Sequence, residues 1–317
     1  MYSDILQIFP KETRSLFEIV VARASRVNEI RLRIGKPIIV MEDSKEFFLK
    51  RNGEYTHYMK EAVESDKEML DRIIQHICCY SLYAYEEELR QGYITVAGGH
   101  RIGMVGQVVA DGKEHVKTLK NICGMNIRVS HQIKGVAEPV LPCLYREGRF
   151  KSTLIVSPPG CGKTTLLRDI VRLVSDGNTY GKGVTVGVVD ERSEICGAYL
   201  GQPQNDVGVR TDVLDACPKV PGMMMLLRAM SPAVIAIDEL GSEEELRAVR
   251  LAASCGSRVV ATMHGEGLED IQRRESMKAY MAERIFETVI LLGKKNGKCV
   301  ILQIYEMTKD GDWTCRK

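Results

Sequence analysis

The stretch 156-VSPPGCGKTTLLRD-169 decides the fold. It matches the phosphate-binding pattern G-x-x-x-x-G-K-[ST], except that Ser157 stands where the pattern has its first glycine. A short apolar run at 153–156 precedes the loop, and a helical pattern at 164–174 follows it. Because backbone N–H groups at the start of a helix converge on phosphate oxygens, this order of strand, loop and helix predicts a working nucleotide site.

The loop carries the groups that a bound nucleotide needs. Lys163 is predicted to contact the β- and γ-phosphates of ATP, and the hydroxyl of Thr164 is predicted to bind Mg²⁺. Ser157 removes no necessary donor, because the first glycine mainly eases the turn out of the strand. The predicted nucleotide-binding residues of the loop are Gly160, Cys161, Gly162, Lys163, Thr164 and Thr165.

A second part of the site is expected about seventy residues later, in 234-VIAIDE-239. This apolar run ends in two carboxylates. Asp238 is a predicted magnesium ligand, and Glu239 is predicted to polarise the attacking water. The alternative is that both residues only end a strand and cap the following helix.

Two more apolar runs end in polar residues, at the edge where open α/β sheets bind ligands. In 188-VVDERSE-194 the carboxylate of Glu191 is a second catalytic candidate, although capping is an alternative for it and for Asp190. His264 follows the run at 259–263 and is predicted to sense the γ-phosphate.

Composition sets the frame for these motifs. The chain has 317 residues, 44% of them hydrophobic and 27% charged, with a net charge of +2, which is typical of a globular protein of two domains. No apolar run reaches the roughly 18 residues that span a bilayer, so any membrane contact is expected to be peripheral. The ten cysteines follow no metal or disulfide spacing and are interpreted as reduced thiols of a cytoplasmic protein.

The expected fold class is α/β, with two domains. Residues 1–145 are predicted to form a smaller N-terminal α/β domain, and residues 146–317 a mostly parallel sheet with helices on both faces, edged by a hairpin at 288–293 and 298–307. In the first domain we expect a helical region within 63–90 and a turn at Asp111-Gly112. Strands are expected there at 30–34, 37–41, 93–96, 102–110 and 127–129.

The order of motifs after the loop resembles that of the secretion ATPases of type II and type IV systems. In that family an acidic box, a strand ending in glutamate and a histidine box follow the loop; here they are VVDERSE, VIAIDEL and VVATMHG. The resemblance implies a RecA-like P-loop ATPase, and it makes Arg228 a nucleotide-contacting residue. Met224 stands where a second family arginine is expected, and Leu240 follows Glu239 in place of an arginine. Which arginine would complete a neighbouring subunit's site therefore stays open.

A closer resemblance is to a family of sporulation ATPases from endospore-forming bacteria, and it runs from about residue 28 to 265. It rests on NEIRLRIGKPI, QGYITVAGGHRIGMVG, GVRTDVLDACPK and SPAVIAIDELG, together with the loop and the acidic box. The resemblance implies a homohexameric ATPase of the mother-cell cytoplasm. It would use ATP and Mg²⁺ to energise the channel complex at the forespore membranes, and it would reach the membrane through membrane-protein partners.

Two other functions fit the same residues. A nucleic-acid-dependent ATPase would use Arg31, Arg33, Arg101 and Arg128 as a phosphate-contacting face, although a pI near 8.0 does not argue for nucleic acid. A nucleotide-binding switch without turnover would keep the loop and make no use of Glu239 as a base. No N-K-x-D motif is present, which argues against a small GTPase.

Overall fold

The computed structural model describes residues 3–78, 85–111, 115–308 and 310–316. Two compact units divide the chain: Met1–His131 with Gly197–Gln204, and Gln132–Cys196 with Asn205–Lys317. The domain boundary expected at 145/146 stays a prediction. No helix of the described ranges combines the length and the apolar character needed to cross a bilayer.

The first unit is built on a seven-stranded antiparallel sheet in the order β5-β4-β3-β1-β9-β8-β7. Its helices are α1 (Ser3–Gln7), α2 (Lys11–Ala22), α3 (Lys67–Ile77) and α4 (Glu86–Gln91). Its strands are β1 (Val27–Arg33), β2 (Lys36–Pro37), β3 (Ile39–Glu42), β4 (Lys45–Leu49), β5 (Tyr55–Thr56), β6 (Glu64–Ser65), β7 (Tyr93–Val96), β8 (His100–Asp111) and β9 (His115–Arg128).

The period-two pattern of β1 predicts its burial well. Ile30 and Leu32 are fully buried, whereas Ile34 lies beyond the end of the strand and is 38% exposed. The helical region expected within 63–90 begins later, because the Asp66 carboxylate caps α3 by accepting the Met69 N–H at 2.7 Å. Residues 79–84 of that region, and Gly112 of the predicted turn, lie outside the described residues.

A short segment of the later sequence, Gly197–Gln204, belongs to this first unit. The Gly98 N–H donates to Oε1 of Gln204 at 2.9 Å. Gly99 has a φ of +72°, and a Cβ there would lie 3.2 Å from the carbonyl oxygen of Gly197. A side chain at Gly99 would therefore require both an unfavourable φ and a shift of the Gly197 backbone, so glycine suits this contact.

His100 is a buried neutral imidazole of this unit. Its Nδ1 accepts the Ser130 N–H at 3.0 Å, and burial lowers the pKa of His100 to about 4. The unfolded chain, with an ordinary histidine pKa near 6.5, therefore binds a proton that the folded protein does not, so stability is lost as the pH falls from 6.5 towards 4.

We expect His100→Asn to remove that pH dependence, because the asparagine oxygen can replace Nδ1 as an acceptor and does not titrate. In urea titrations, wild type should lose about 2 kcal/mol more than the variant between pH 7.5 and pH 5. His57→Asn, at an exposed histidine, is the control and should behave as wild type does. Equal losses in wild type and His100→Asn would contradict this account.

The second unit holds an eight-stranded sheet in the order β16-β15-β17-β18-β12-β19-β20-β21. Its helices are α5 (Leu141–Leu144), α6 (Lys163–Asp176), α7 (Lys219–Ala229), α8 (Glu243–Ser254), α9 (Leu268–Arg273) and α10 (Glu275–Ala282). Its strands are β10 (Tyr145–Arg146), β11 (Arg149–Phe150), β12 (Thr153–Ser157), β13 (Gly177–Asn178), β14 (Gly181–Lys182), β15 (Val186–Asp190), β16 (Thr211–Asp215), β17 (Val234–Ile237), β18 (Arg258–His264), β19 (Thr288–Lys295), β20 (Lys298–Met307) and β21 (Trp313–Cys315).

The first six strands of that order run parallel, and β19, β20 and β21 pair antiparallel. Both faces of the sheet are covered. Leu154 and Val156 of β12 join a core shared with α7 and α8, while Ile155 joins a core shared with α6. The α/β class of the prediction is confirmed, and the carboxyl ends of β15, β17, β18 and β12 meet at one edge.

Candidate functional site

The phosphate loop lies between the end of β12 at Ser157 and the start of α6 at Lys163. Gly160 and Gly162 have φ values of +68° and +84°, a conformation that favours glycine. Gly162 is the N-cap of α6 and has no side chain to accept the first helical N–H groups. The loop therefore offers these donors to an anion.

Lys163 is buried within the loop, at 6% exposure. Its ammonium donates to the carbonyl oxygens of Ser157 at 3.2 Å and Pro158 at 3.3 Å, and it lies 3.1 Å from Nδ1 of His264. Burial lowers the pKa of Lys163, and the carboxylates of Asp238 and Glu239 oppose that shift. A cation held only by neutral oxygens and an imidazole is ready to exchange them for phosphate.

Ser157 fills the place of the missing glycine without strain. It is buried, and its hydroxyl donates to the Pro158 carbonyl at 2.7 Å.

We expect Ser157→Gly to change nucleotide affinity by less than about tenfold, or ~1.4 kcal/mol, because the donors of the loop begin at Gly160. Titration with a fluorescent ATP analogue measures this. Ser257→Gly, at a second buried serine that donates to a proline carbonyl at 2.7 Å, controls for the added chain entropy. Much tighter binding by Ser157→Gly alone would show that the natural loop is impaired.

Thr164 and Asp238 lie next to each other, as the magnesium prediction requires. The Thr164 hydroxyl donates to Oδ2 of Asp238 at 2.7 Å. Within the described ranges no cluster of three or more histidine, cysteine or acidic side chains forms a complete metal cage. A hydroxyl and one carboxylate fit Mg²⁺, which commonly takes one or two protein oxygens and completes its shell with phosphates and water.

Glu239 is held at both its backbone and its side chain. Its φ is +53°, in the left-handed region of backbone conformation that residues other than glycine rarely adopt. The ammonium of Lys219 donates to its carbonyl oxygen at 3.0 Å. Oε2 of its carboxylate accepts from Arg192 at 2.8 Å, and Oε1 lies 3.2 Å from Nε2 of His264.

Through His264, the loop lysine and the predicted catalytic carboxylate are joined in one chain of contacts. His264 lies at the end of β18, with Lys163 on one ring nitrogen and Glu239 on the other. A γ-phosphate that bound Lys163 would therefore alter the contact of Lys163 with His264, and His264 in turn contacts Glu239. The sequence pattern predicted His264 at the end of a strand. Its contacts with Lys163 and Glu239 come from the pairing of β18 with β12 on one side and β17 on the other.

Glu191 stands beside these residues but is paired with a different cation. Its carboxylate lies 3.2 Å from the ammonium of Lys219, which also contacts Glu245 at 3.0 Å. Asp190 is buried, and its carboxylate accepts three backbone N–H groups of the residues that follow, which favours the capping alternative for Asp190. Lys219 and Arg192 were not predicted as site residues.

Arg228 lies near the C-terminal end of α7. It is exposed, one residue before the end of the eleven-residue helix α7. Lys219, at the first residue of the same helix, contacts the site, so Arg228 lies nine residues, or about 13 Å, further along the axis. A role of Arg228 in nucleotide binding stays a prediction.

Two cavities of the second unit flank the loop. One, of about 600 Å³, is mainly apolar and is lined by Ile133, Val136, Cys161, Gly162, Thr165, Leu166, Leu292, Lys298, Cys299, Val300 and Ile301. The other, of about 920 Å³, is bounded by Pro158, His264, Arg273, Arg274 and Tyr305 among others. Cys161 and Thr165 thus face the apolar cavity on the outer side of the loop.

A family model described as "Sporulation stage III, protein AA" matches residues 2–311. Stage III sporulation protein AA of Bacillus subtilis (strain 168) is 39% identical over 311 residues, covering 98% of this chain and 96% of that protein. Protein SEEDLING PLASTID DEVELOPMENT 1 of Arabidopsis thaliana is 31% identical over 159 residues, which is 50% of this chain and 22% of that protein.

Among solved structures, the ATPase DotB of Legionella pneumophila superposes with a TM-score of 0.62 at 14% identity, covering 96% of this chain and 82% of that one. The pilus retraction motor PilT with bound ADP gives a TM-score of 0.62 at 16% identity, covering 91% and 81%. At these identities the likeness is one of fold, which this chain shares with DotB and PilT.

Proposed function

Because the chain belongs to the sporulation stage III protein AA family, we propose that it is a magnesium-dependent ATPase that energises the assembly of, or transport through, a channel between mother cell and forespore. The structural likeness to DotB and PilT, which are an ATPase and a motor with bound ADP, supports the ATPase part of this proposal. It extends to a homohexamer that works in the mother-cell cytoplasm with membrane-protein partners and contacts the membrane only through them.

The observation that supports the ATPase proposal most directly is that four side chains meet at the carboxyl edge of the parallel sheet. Lys163 is buried under the loop, Asp238 accepts from the loop threonine, and Glu239 reaches Lys163 through His264. These are a phosphate cation, a metal carboxylate, a candidate base and a polar relay. A buried ammonium beside a helix start that no side chain caps is the arrangement that a bound phosphate would use.

The apolar cavity beside the loop supports a nucleoside as the ligand. Ile133, Val136 and Ile301 give it walls against which a purine base can pack, and Gly162 and Thr165 connect it to the phosphate end. Its volume of about 600 Å³ is within the range of small-molecule sites. We propose that the base of ATP lies in this cavity.

The reaction is hydrolysis of ATP to ADP and phosphate. Bound Mg²⁺ supplies charge neutralisation on the phosphate oxygens, and Thr164 and Asp238 are the residues that would hold it. The loop N–H groups and Lys163 orient the phosphates. Glu239 accepts a hydrogen bond from the attacking water and so polarises it. Until substrate arrives, Arg192 and His264 hold the two oxygens of the Glu239 carboxylate in place.

One experiment tests the proposal as a whole. The purified protein is assayed for phosphate release from ATP with Mg²⁺ and with excess chelator, and its particle mass is measured in the same samples. We expect release only with Mg²⁺ and a mass near six subunits when ATP is bound. Absence of release with nucleotide still bound would favour the switch without turnover.

The nucleic-acid alternative has one structural observation in its favour. Arg101 lies opposite Arg128 in the pairing of β8 with β9, so these two arginines share one face of the sheet. Glu29 of β1 lies opposite Arg128 and brings a carboxylate to that face. This carboxylate accepts a hydrogen bond from the Arg31 guanidinium at 2.6 Å, which reduces the positive charge of the face. Salt-sensitive binding of labelled DNA or RNA would favour this alternative, and we expect none.

A further inference from the structure

We propose that Thr262 is a positioning residue of the ATPase site, whose hydroxyl fixes the peptide that joins Asp238 to Glu239. The inference rests on the proposed function only for its effect on turnover. The role of the Thr262 hydroxyl in holding the Glu239 peptide can be tested without nucleotide.

Thr262 is placed to contact both carboxylate residues at once. It is fully buried on β18, between the loop strand β12 and the carboxylate strand β17. Its hydroxyl oxygen accepts the N–H of Glu239 at 2.8 Å, and its proton is donated to Oδ1 of Asp238. Its own carbonyl accepts the Leu240 N–H at 2.8 Å, which fixes the chain on the other side of Glu239.

The conformation of Glu239 explains why such a contact is needed. A φ of +53° is strained for a glutamate, so the segment stays in it only where its polar groups are held from several directions. Thr262 holds the N–H of Glu239, and Lys219 holds its carbonyl oxygen. This backbone geometry directs the side chain towards Arg192 and His264, and therefore towards the phosphate end of the loop.

Removal of the hydroxyl would act on both carboxylates. A valine at 262 keeps the shape of the side chain but removes the hydroxyl that lies between the Glu239 N–H and Oδ1 of Asp238. These two half-buried groups then keep only their direct contact with each other at 3.1 Å, which is longer than the 2.8 Å hydrogen bond that Glu239 loses. The Glu239 peptide can then turn towards an ordinary φ, and its carboxylate moves with it. Residues that hydrogen-bond a metal-binding carboxylate commonly change activity by 10–100-fold when they are replaced.

The chain offers a matched control for this substitution. Thr288 is also fully buried in the same sheet, and its hydroxyl donates to the Cys143 carbonyl at 3.1 Å. It lies at the start of β19, at the opposite end of the strands from the loop. Thr288→Val therefore removes one buried hydroxyl hydrogen bond without touching Asp238 or Glu239.

The experiment compares Thr262→Val, Thr262→Ser and Thr288→Val in the full chain. We measure kcat and KM for ATP, the Kd of a fluorescent ATP analogue, the melting temperature, and amide hydrogen exchange of the peptide containing Glu239 in the nucleotide-free protein. For Thr262→Val we expect kcat to fall by about 10–100-fold with Kd within about threefold, and exchange at Glu239 to quicken at least tenfold. Thr262→Ser should restore both, and Thr288→Val should change neither.

The two readouts separate this inference from the proposed function. If wild type hydrolyses ATP and Thr262→Val matches Thr288→Val in kcat and exchange, the positioning role is refuted and the ATPase stands. If wild type shows no turnover while exchange at Glu239 quickens only in Thr262→Val, the ATPase proposal fails and the structural role of Thr262 stands. A loss of kcat that serine does not restore would assign Thr262 to packing and overturn the proposal.

Discussion

Glu239→Gln is expected to bind ATP as tightly as wild type and to hydrolyse it roughly 10²–10⁴ times more slowly. The amide of glutamine keeps the size of the side chain, and its oxygen can still accept from Arg192. What it loses is the negative charge that polarises the attacking water. Bound nucleotide, hydrolysis rate and particle mass are measured together on this one variant, because ATP that is held without turnover should also favour the assembled ring.

Glu191→Gln is the matched control for that experiment. Its carboxylate is paired with Lys219, which Glu245 also neutralises, so we expect its turnover to stay within about tenfold of wild type. If Glu239→Gln hydrolyses ATP at the wild-type rate, Glu239 is not the catalytic carboxylate, and Glu191 becomes the first candidate. If Glu239→Gln fails to bind ATP, its role is structural and the interpretation of this strand end is wrong.

Lys163→Ala is expected to abolish ATP binding and turnover at ordinary nucleotide concentrations. The ammonium is the buried cation of the loop, and a charge-assisted hydrogen bond to a phosphate contributes about 1.5–3 kcal/mol, with the attraction between the opposite charges in addition. Removal of the side chain also opens a space beside His264, so Lys163→Met, which keeps the aliphatic stem, separates charge from packing. Both variants should fail in the fluorescent-nucleotide titration and in the phosphate-release assay.

The control for Lys163 is Lys182→Ala, at an exposed lysine of the same unit. It should bind and hydrolyse ATP as wild type does. Wild-type hydrolysis by a folded Lys163→Ala or Lys163→Met protein would refute the assignment of the loop as the phosphate site.

The parts of the fold that could be predicted are those whose signals are local. The strand, loop and helix from 153 to 176 were predictable because apolar residues, glycines and a helical pattern follow one another directly. The edge strand β16 (Thr211–Asp215) was missed, since it has only two apolar residues, flanked by two aspartates, and its pairing with β15 is not visible in a short stretch of sequence. The helices α9 and α10 were missed as well.

The same division applies to the site. Each predicted site residue stands next to a strand end or a loop that can be recognised in the sequence, so their place at one edge of the sheet was predictable. These residues are Lys163, Asp238, Glu239 and His264. The partners that hold Glu239 come from other elements: Lys219 begins α7, and Thr262 is an inward-facing residue of β18. In the sequence, a threonine within an apolar strand gives no sign of a functional role, because its hydrogen-bond partners belong to a neighbouring strand. Contacts of this kind depend on strand order, which the sequence pattern alone does not specify.

The segment Gly197–Gln204 has a consequence for how such a protein could evolve or be dissected. The chain passes between the two units after His131, after Cys196 and after Gln204, so neither unit is one continuous piece of the gene. A single recombination breakpoint cannot exchange one unit for that of a distant homologue. It would leave residues 197–204 with a foreign partner in place of Gly98 and Gly99. A shortened protein starting at Gln132 would keep residues 197–204 but lose Gly98 and Gly99, the residues that they contact.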